Sequence, residues 1–363
     1  MSSMAGLRIG LVGPLPPPAG GMAMQTRQLA ELLRGAQVQI ELVASNPPYW
    51  PAWVGGVRGL RALARLLPYL ASLWRAAGRS DVLHVMANSG WSWHLVAAPA
   101  IWIGRIRRVP VVINYRGGEA ATFLASSARA VRLSMRRAAR LVVPSGFLRE
   151  VFARHGMAAD IVPNIVDLQR FRPGVPSHPP QVMVARNLES IYDNTTALRA
   201  LALAREQQPD LRMVLAGTGP EEANLRALAD TLGIADAVEF AGQLDRETMA
   251  VRLRESALAL NPSRVDNMPN SVLEAMASGV PVVSTAVGGV PFIVEHGRTA
   301  LLVPPADPQA MAEAMLRPLT DPTLASRLRV QALADVQAYA WPTVEPQWAA
   351  VYCGVARRSK AGP

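Results

Sequence analysis

Residues Ala259 to Gly289 read ALNPSRVDNMPNSVLEAMASGVPVVSTAVGG, and the rest of the chain is organised around them. The stretch opens in a short apolar run, Ala257 to Leu260, of strand length. Asn261-Pro262-Ser263 ends the run, and a polar loop leads to Asn270. Ser271 and Glu274 then have the S-x-x-E spacing of a capping box, which predicts a helix ended by Gly279. Val280 to Val283 is the next strand, and Gly288-Gly289 opens another turn. Two strand-to-helix turns therefore lie side by side. In a parallel sheet both fall at the carboxyl edge, where ligands bind and free helix N–H groups suit phosphate.

Seven residues separate Asp266, in the loop, from Glu274, in the first helical turn. A loop folded back over its helix aims both carboxylates into one crevice. A sugar or ribose diol donates two hydrogen bonds to such an acceptor. The plainer alternative stays open at this point: Glu274 completes a capping box worth about 1 kcal/mol, and Asp266 is a solvated loop acid.

The chain has 363 residues, half of them hydrophobic, which predicts two domains. Cys353 is the only cysteine, so a disulfide framework within the chain is excluded and a reducing cytosol is expected. Leu7 to Val12 and Leu95 to Ile103 are too short for a signal or membrane-spanning segment. Charge is divided: residues 1–174 carry 21 arginines against 7 acids, while the remainder is mildly acidic. The basic residues are spread and accompany no nucleic-acid-reading motif, so no nucleic-acid partner is expected.

In the first part, a strand at Leu7 to Val12 leads through a proline-rich loop to Gly20-Gly21 and a helix from Met22. A glycine pair there lets backbone N–H groups approach a phosphate or sugar. Six of the eight tryptophans lie between Asn46 and Arg108. Within that segment Leu60, Leu63, Leu67, Leu70 and Trp74 recur at helical spacing, Arg58, Arg61 and Arg65 share another face, and Pro68 predicts a kink. Such a helix either packs its leucines on the core or lies on an anionic membrane. Val109 to Asn114 is a strand ending in Tyr115-Arg116-Gly117-Gly118-Glu119, where Arg116 is suited to an anion. The proline-rich stretch Asp167 to Pro180 reads as the linker, and the second part again alternates strands, glycine turns and helices. That alternation predicts parallel α/β domains.

These residues resemble the retaining glycosyltransferases of family four, which have the GT-B fold: two Rossmann-like parallel-sheet domains facing each other across a cleft. The sharpest likeness is Asp266 to Val283, similar to the family's E-x7-E segment with aspartate in the first acidic place. Ile161 to Asp167 with Phe171 resembles its interdomain PNGVD-F stretch, and Gly217-Thr218-Gly219-Pro220 its G-x-G-P turn. The likeness implies an acceptor domain over residues 1–170, a donor domain over 171–340, and a terminal helix, 341–358, that packs back on the first. It implies that Glu274 binds the donor ribose and that Asp266, with the backbone of Asn267, Met268, Pro269 and Asn270, holds the donor sugar. Arg186 would grip the diphosphate, Gly217 would line the donor turn, and Gly20 and Gly21 would approach the phosphate and sugar. No metal or other cofactor is implied, because arginine, lysine and helix ends neutralise the leaving diphosphate.

The chain departs from the family twice: the usual lysine's place falls near Tyr192-Asp193, and Arg116 stands where a histidine is often found. Arg116 is expected to restore the lost positive charge as part of the catalytic set with Arg186 and Asp266. The function expected is sugar transfer from a nucleoside-diphosphate sugar to a glycan or lipid-linked acceptor, in polysaccharide or cell-surface glycan biosynthesis. The enzyme would be cytoplasmic and peripheral on the inner face of the membrane, through residues 50–108. Two alternatives are a non-catalytic sugar-nucleotide-binding or scaffold subunit and a GT-B sugar-nucleotide epimerase, which lacks this acidic segment.

Overall fold

The computed structural model describes residues 3–17, 21–49, 56 and 60–356. Its contacts divide it into one unit of Met1–Pro163 with Val344–Pro363 and another of Asn164–Thr343. The division precedes the boundary expected at residue 170. The Asn164 side chain is the reason, for its Nδ2 donates to Met268 O at 2.8 Å and Asn270 Oδ1 at 2.7 Å. Phe171 is likewise buried in the second unit's core.

In the first unit β1 (Arg8–Gly13), α1 (Gly21–Gly35), β2 (Gln39–Ala44), α2 (Leu60–Ala77) and β3 (Val82–Ala87) come first. Then follow α3 (Ala98–Ile106), β4 (Val111–Tyr115), α4 (Ala120–Met135), β5 (Arg140–Val143), α5 (Gly146–Arg154) and β6 (Asp160–Ile161). The strands form one parallel sheet in the order β2-β1-β3-β4-β5-β6. Helices cover both faces, so β3 is buried at every position and reads as an apolar run rather than an alternation.

The α2 helix runs without interruption through Pro68, and its core stripe differs from the expected one. Tyr69, Leu73, Ala76 and Ala77 are buried, with Leu66 and Leu70 packed beside them, whereas Leu67 is 65% and Trp74 43% exposed. Both stripes have helical spacing, and the one containing Tyr69 wins because its hydroxyl also reaches Val96 O, at 2.8 Å. Trp50, Trp53 and Arg58, and the side chains of Leu60, Arg61 and Leu63, lie outside the described residues.

The second unit contains β7 (Gln181–Val184), α6 (Asn194–Arg205), β8 (Arg212–Leu215), α7 (Glu222–Thr231), β9 (Val238–Phe240), α8 (Arg246–Glu255) and β10 (Leu258–Asn261). It continues with α9 (Asn270–Ala277), β11 (Val282–Thr285), β12 (Leu301–Val303), α10 (Pro308–Thr320) and α11 (Pro322–Asp335). The sheet is again parallel, ordered β12-β11-β10-β7-β8-β9. Asp245, Asp307 and Asp321 cap α8, α10 and α11 by accepting a backbone N–H each.

The last helix, α12 (Trp341–Val355), belongs to the first unit from Val344 onward. Trp348 and Tyr352 stack on each other and pack on His84, an imidazole facing away from the other core cluster of that sheet. Burial pulls the His84 pKa down to about 3, with the nearby Arg116 charge adding to the effect, so the ring is neutral. Its tautomer follows from its partners. Arg116 Nε donates to Asn114 Oδ1 at 3.0 Å, which turns Asn114 Nδ2 toward His84 Nε2, also at 3.0 Å. The proton must then sit on Nδ1, which donates to the Tyr352 hydroxyl at 2.6 Å. Tyr352→Phe leaves that buried N–H without an acceptor, and a loss of about 1–3 kcal/mol is expected. Urea denaturation reads it, and an unchanged midpoint would count against the assigned tautomer.

Candidate active site

The second sheet reverses strand order between β7 and β10, since successive strands run to one side from β7 and to the other from β10. At such a reversal the loops leaving the two strands run apart, and their carboxyl ends are where a ligand crevice is expected. Arg186 follows β7 and Asn261 ends β10. Arg186 Nε donates to Asn261 Oδ1 at 2.8 Å, and its Nη2 pairs closely with Asp266 Oδ2. Both charged side chains are 11% exposed, so the pair is largely shielded from solvent. The Tyr192 ring lies 5.2 Å from the guanidinium carbon.

The loop carrying Asp266 is tied down at several points. Ser263 Oγ donates to Asn261 Oδ1 at 2.7 Å, Thr285 Oγ1 donates to Ser263 O at 2.6 Å, and the Gly289 N–H reaches Asp266 O at 3.1 Å. Gly288 has φ +52°, and a Cβ there would lie 1.9 Å from Asp266 O, so only glycine lets the turn approach. Gly217 has the same logic on the other side, where a Cβ would lie 2.2 Å from Arg186 O. Its role is to bring the loop after β8 against the loop after β7.

The capping box is not formed. The α9 helix begins at Asn270 with Pro269 as its cap residue and no side-chain cap, and Ser271 Oγ is buried without a hydrogen-bond partner. Proline at the cap position explains this: it starts the helix one residue before Ser271, which therefore lies within the first turn. The Glu274 carboxyl is instead surrounded by cations. Burial raises its pKa to about 7, while the charges of Arg246, Arg186 and Arg170 oppose the rise. Burial also pushes the Asp266 carboxyl up, with Arg186 pulling it back.

The remaining members of the acidic segment divide by chemistry. Asn267 is buried and its N–H donates to Asp266 Oδ1 at 3.0 Å. The Met268 side chain points into the core, and its sulfur accepts from the Asn164 N–H at 3.3 Å. Pro269 has no N–H to offer, and its carbonyl accepts from Val272 at 3.2 Å. Asn270 accepts from Asn164, so its side chain anchors the start of α9.

At the place of the family's lysine, Asp193 is buried at φ +46° and accepts from Thr196 Oγ1 at 2.8 Å. It draws in Arg264, whose Nε lies 2.9 Å from Asp193 Oδ2 and whose own N–H bonds Ile191 O at 2.9 Å. Sequence reasoning missed Arg264, and likewise Arg170, Arg246, Asn261 and Tyr192. Only the S-R-V-D context of Arg264, two residues before Asp266, offered a signal.

In the first unit Arg116 follows β4 and donates through Nη1 to Gln25 Oε1 at 3.1 Å. This ties the end of β4 to α1, whose first residue is Gly21. Burial lowers the Arg116 pKa to about 10, opposed by Tyr352, which leaves the group charged at neutral pH. Gly20 lies outside the described residues.

Residues 20–164 match the glycosyl transferase 4-like domain and residues 180–321 the glycosyl transferases group 1 domain. A D-inositol 3-phosphate glycosyltransferase of Streptomyces avermitilis is 31% identical over 56% of this chain and 48% of its own length. The chain thus spans about half the length of these curated relatives. A phosphatidyl-myo-inositol mannosyltransferase of Mycobacterium leprae is 27% identical, over 96% of this chain and 97% of its own. Among solved structures, sucrose-phosphate synthase from Thermosynechococcus elongatus superposes with a TM-score of 0.77 at 21% identity, covering 96% of this chain and 98% of that one. Anabaena Alr3699/HepE in complex with UDP-glucose gives 0.74 at 18% identity, over 96% and 100% of the two chains. These superpositions establish the GT-B fold.

The burial of Glu274 yields a stability prediction. An acid whose pKa rises from 4.5 to about 7 on folding takes up a proton in that window, so it opposes folding increasingly as pH climbs through it. Glu274→Gln is expected to raise the melting temperature at pH 8 and to matter least near pH 4.5; an equal shift at both pH values would contradict the raised pKa. Through its two tandem matches, its paired parallel sheets and its acidic segment, the chain belongs to the group 1 glycosyl transferases of family four.

Proposed function

We propose that the chain is a retaining glycosyltransferase that moves a sugar from a nucleoside-diphosphate sugar to a glycan or lipid-linked acceptor. The observation that carries this reading is the convergence of Arg186, Asp266 and Glu274 at the strand reversal of the second sheet. Arg186 takes the diphosphate, sharing its guanidinium with Asp266. Asp266 and the backbone beside it accept and donate to sugar hydroxyls, and Glu274 accepts from the ribose diol. In the reaction the bond from the anomeric carbon to the diphosphate oxygen breaks, and the acceptor oxygen bonds the same face of that carbon. The acceptor proton passes to the departing diphosphate oxygen. The developing charge there is met by Arg186, with Arg264 supplying the second cation in place of the family lysine. The Anabaena neighbour's complexes with UDP and UDP-glucose favour a uridine nucleotide as the first donor to try.

A membrane-bound acceptor fits the first unit. Its helical layer exposes Trp74, Trp91, Trp102 and Ile106, and Arg107 and Arg137 lie over the Trp74 and Trp102 rings. Aromatic and basic side chains on one surface suit the interface of an anionic leaflet. No described helix is long and apolar enough to cross a membrane; the proposed association is peripheral, on the cytoplasmic face. Such a surface suits an enzyme of cell-surface glycan or polysaccharide assembly. The departures at Asp193 and Arg116 favour a second reading, a sugar-nucleotide-binding subunit without turnover.

Turnover separates the two. With a panel of nucleotide sugars, the cognate donor is expected to raise the melting temperature and to be transferred or slowly hydrolysed; stabilisation without either reaction would favour the binding subunit. Arg186→Ala should lower kcat/KM by about a hundredfold or more. Arg264→Ala should lower it by roughly tenfold, as for loss of one charge-assisted contact, and an unaltered value would remove Arg264 from the site. Chelation with EDTA should leave the rate unchanged; a rate abolished by EDTA and restored by a divalent cation would overturn the metal-free scheme.

A further inference from the structure

A basin of about 420 Å³ opens in the first unit between the end of α4, the start of β5 and the loop before β6. It lies at the amino-terminal edge of the sheet, opposite the edge that carries Arg116. Arg132, Arg136 and Arg140 line it, with Asp160 as its one acid and Met157 among its apolar walls. Its volume is within the range of small-ligand sites, roughly 300–1,000 Å³.

Arginines at a helix C-terminus can cover its last carbonyls. Here backbone groups do that: the N–H groups of Arg136, Arg137 and Ala138 reach the carbonyls of Arg132, Ser134 and Met135 at 3.1, 2.9 and 3.0 Å. Arg137 covers Leu133 O through its own Nη1 at 2.6 Å. Arg140 is shared with Asp160 at 3.6 Å. Arg132 and Arg136 make no side-chain hydrogen bond or ion pair among the described residues. Arg132 extends toward Gly156, where a Cβ would lie 3.7 Å from its Nη1. Two guanidiniums without a structural task thus share a concave site whose net charge is positive.

We propose that this basin binds a phosphate ester, with Arg132 and Arg136 as its donors and Arg140 released in part from Asp160. Guanidinium pairs with phosphate oxygens through two parallel N–H donors, and a concave site gathers more than one such fork. The group has two sources, a phospholipid headgroup or a soluble phosphate ester. Trp102, under Arg137, and the exposed Leu133 stand on the adjoining face of α3 and α4, which favours the lipid. The lipid source rests on the membrane reading above; the phosphate chemistry does not.

The test compares the full chain with Arg132→Gln/Arg136→Gln, Asp160→Asn and Trp74→Ala/Trp102→Ala. Cosedimentation uses vesicles of phosphatidylglycerol and of phosphatidylcholine, and calorimetry uses glycerol 3-phosphate. A lipid source predicts that the double glutamine variant loses roughly tenfold or more of its binding to phosphatidylglycerol, with an unchanged melting temperature, while Asp160→Asn binds more tightly. A soluble source predicts the same pattern with glycerol 3-phosphate alone. Vesicle binding lost only in the tryptophan variant would keep the membrane surface and overturn the basin. Failure of the double glutamine variant to alter either ligand would overturn it as well, and donor turnover, read separately, is expected to survive.

Discussion

Arg186 holds the second unit's site together by making two contacts across the point where the sheet reverses its order. Asn261 and Asp266 both belong to the far side of that reversal, so the guanidinium spans loops that would otherwise diverge. The pair is shielded from water, which strengthens it and makes either partner costly to leave alone. Everything that shapes the acidic loop serves this contact. Gly288 lets a neighbouring turn press against Asp266, and Gly217 admits the next loop against Arg186. These glycines are needed for close approach, and their replacement would move the charged atoms rather than merely loosen a turn.

The loss of a lysine is accompanied by a rearranged charge. A buried aspartate without a cation would be expensive, and Asp193 has Arg264 in contact. Arg264 lies on the acidic loop, so the loop after β7 and the acidic loop are tied a second time. In the first unit a comparable chain of polar groups runs from Gln25 through Arg116, Asn114 and His84 to Tyr352. Arg116 sets the orientation of Asn114, and Asn114 the tautomer of His84, so the buried neutral histidine has a partner at both ring nitrogens. The terminal helix is thereby locked to the sheet by a directional contact as well as by the Trp348 and Tyr352 rings.

Charge and aromatic side chains in the first unit follow its layers. Most of the described arginines lie on helices and on the turns between helix and strand, where solvent or a polyanion can meet them. Trp93 is buried beside Tyr115 and Phe123, whereas Trp74 and Trp102 remain at the surface beneath arginines. A tryptophan count by itself therefore mixes core and surface. The same holds for α2, whose two apolar stripes have equal periodicity and differ only in what the sheet offers to pack against.

The strands and their order along the chain were legible in the residues, because burial on both faces leaves continuous apolar runs and glycine or proline ends them. The spacing of Asp266 and Glu274 was legible too, being local to a strand–turn–helix unit, whereas Arg186 was singled out only through the family likeness. Tertiary structure alone decided the rest. Sheet order brought Asn261 and Asp266 to Arg186 across dozens of intervening residues. Packing buried Glu274 and so raised its pKa, while Arg246, Arg186 and Arg170, brought near it from other elements, hold the rise back. The capping box failed because helix onset depends on the backbone at Pro269 and not on the spacing of two side chains. Periodicity reports which residues share a face of one element; which other element that face meets is set by the order of strands in the sheet, and no local pattern encodes it.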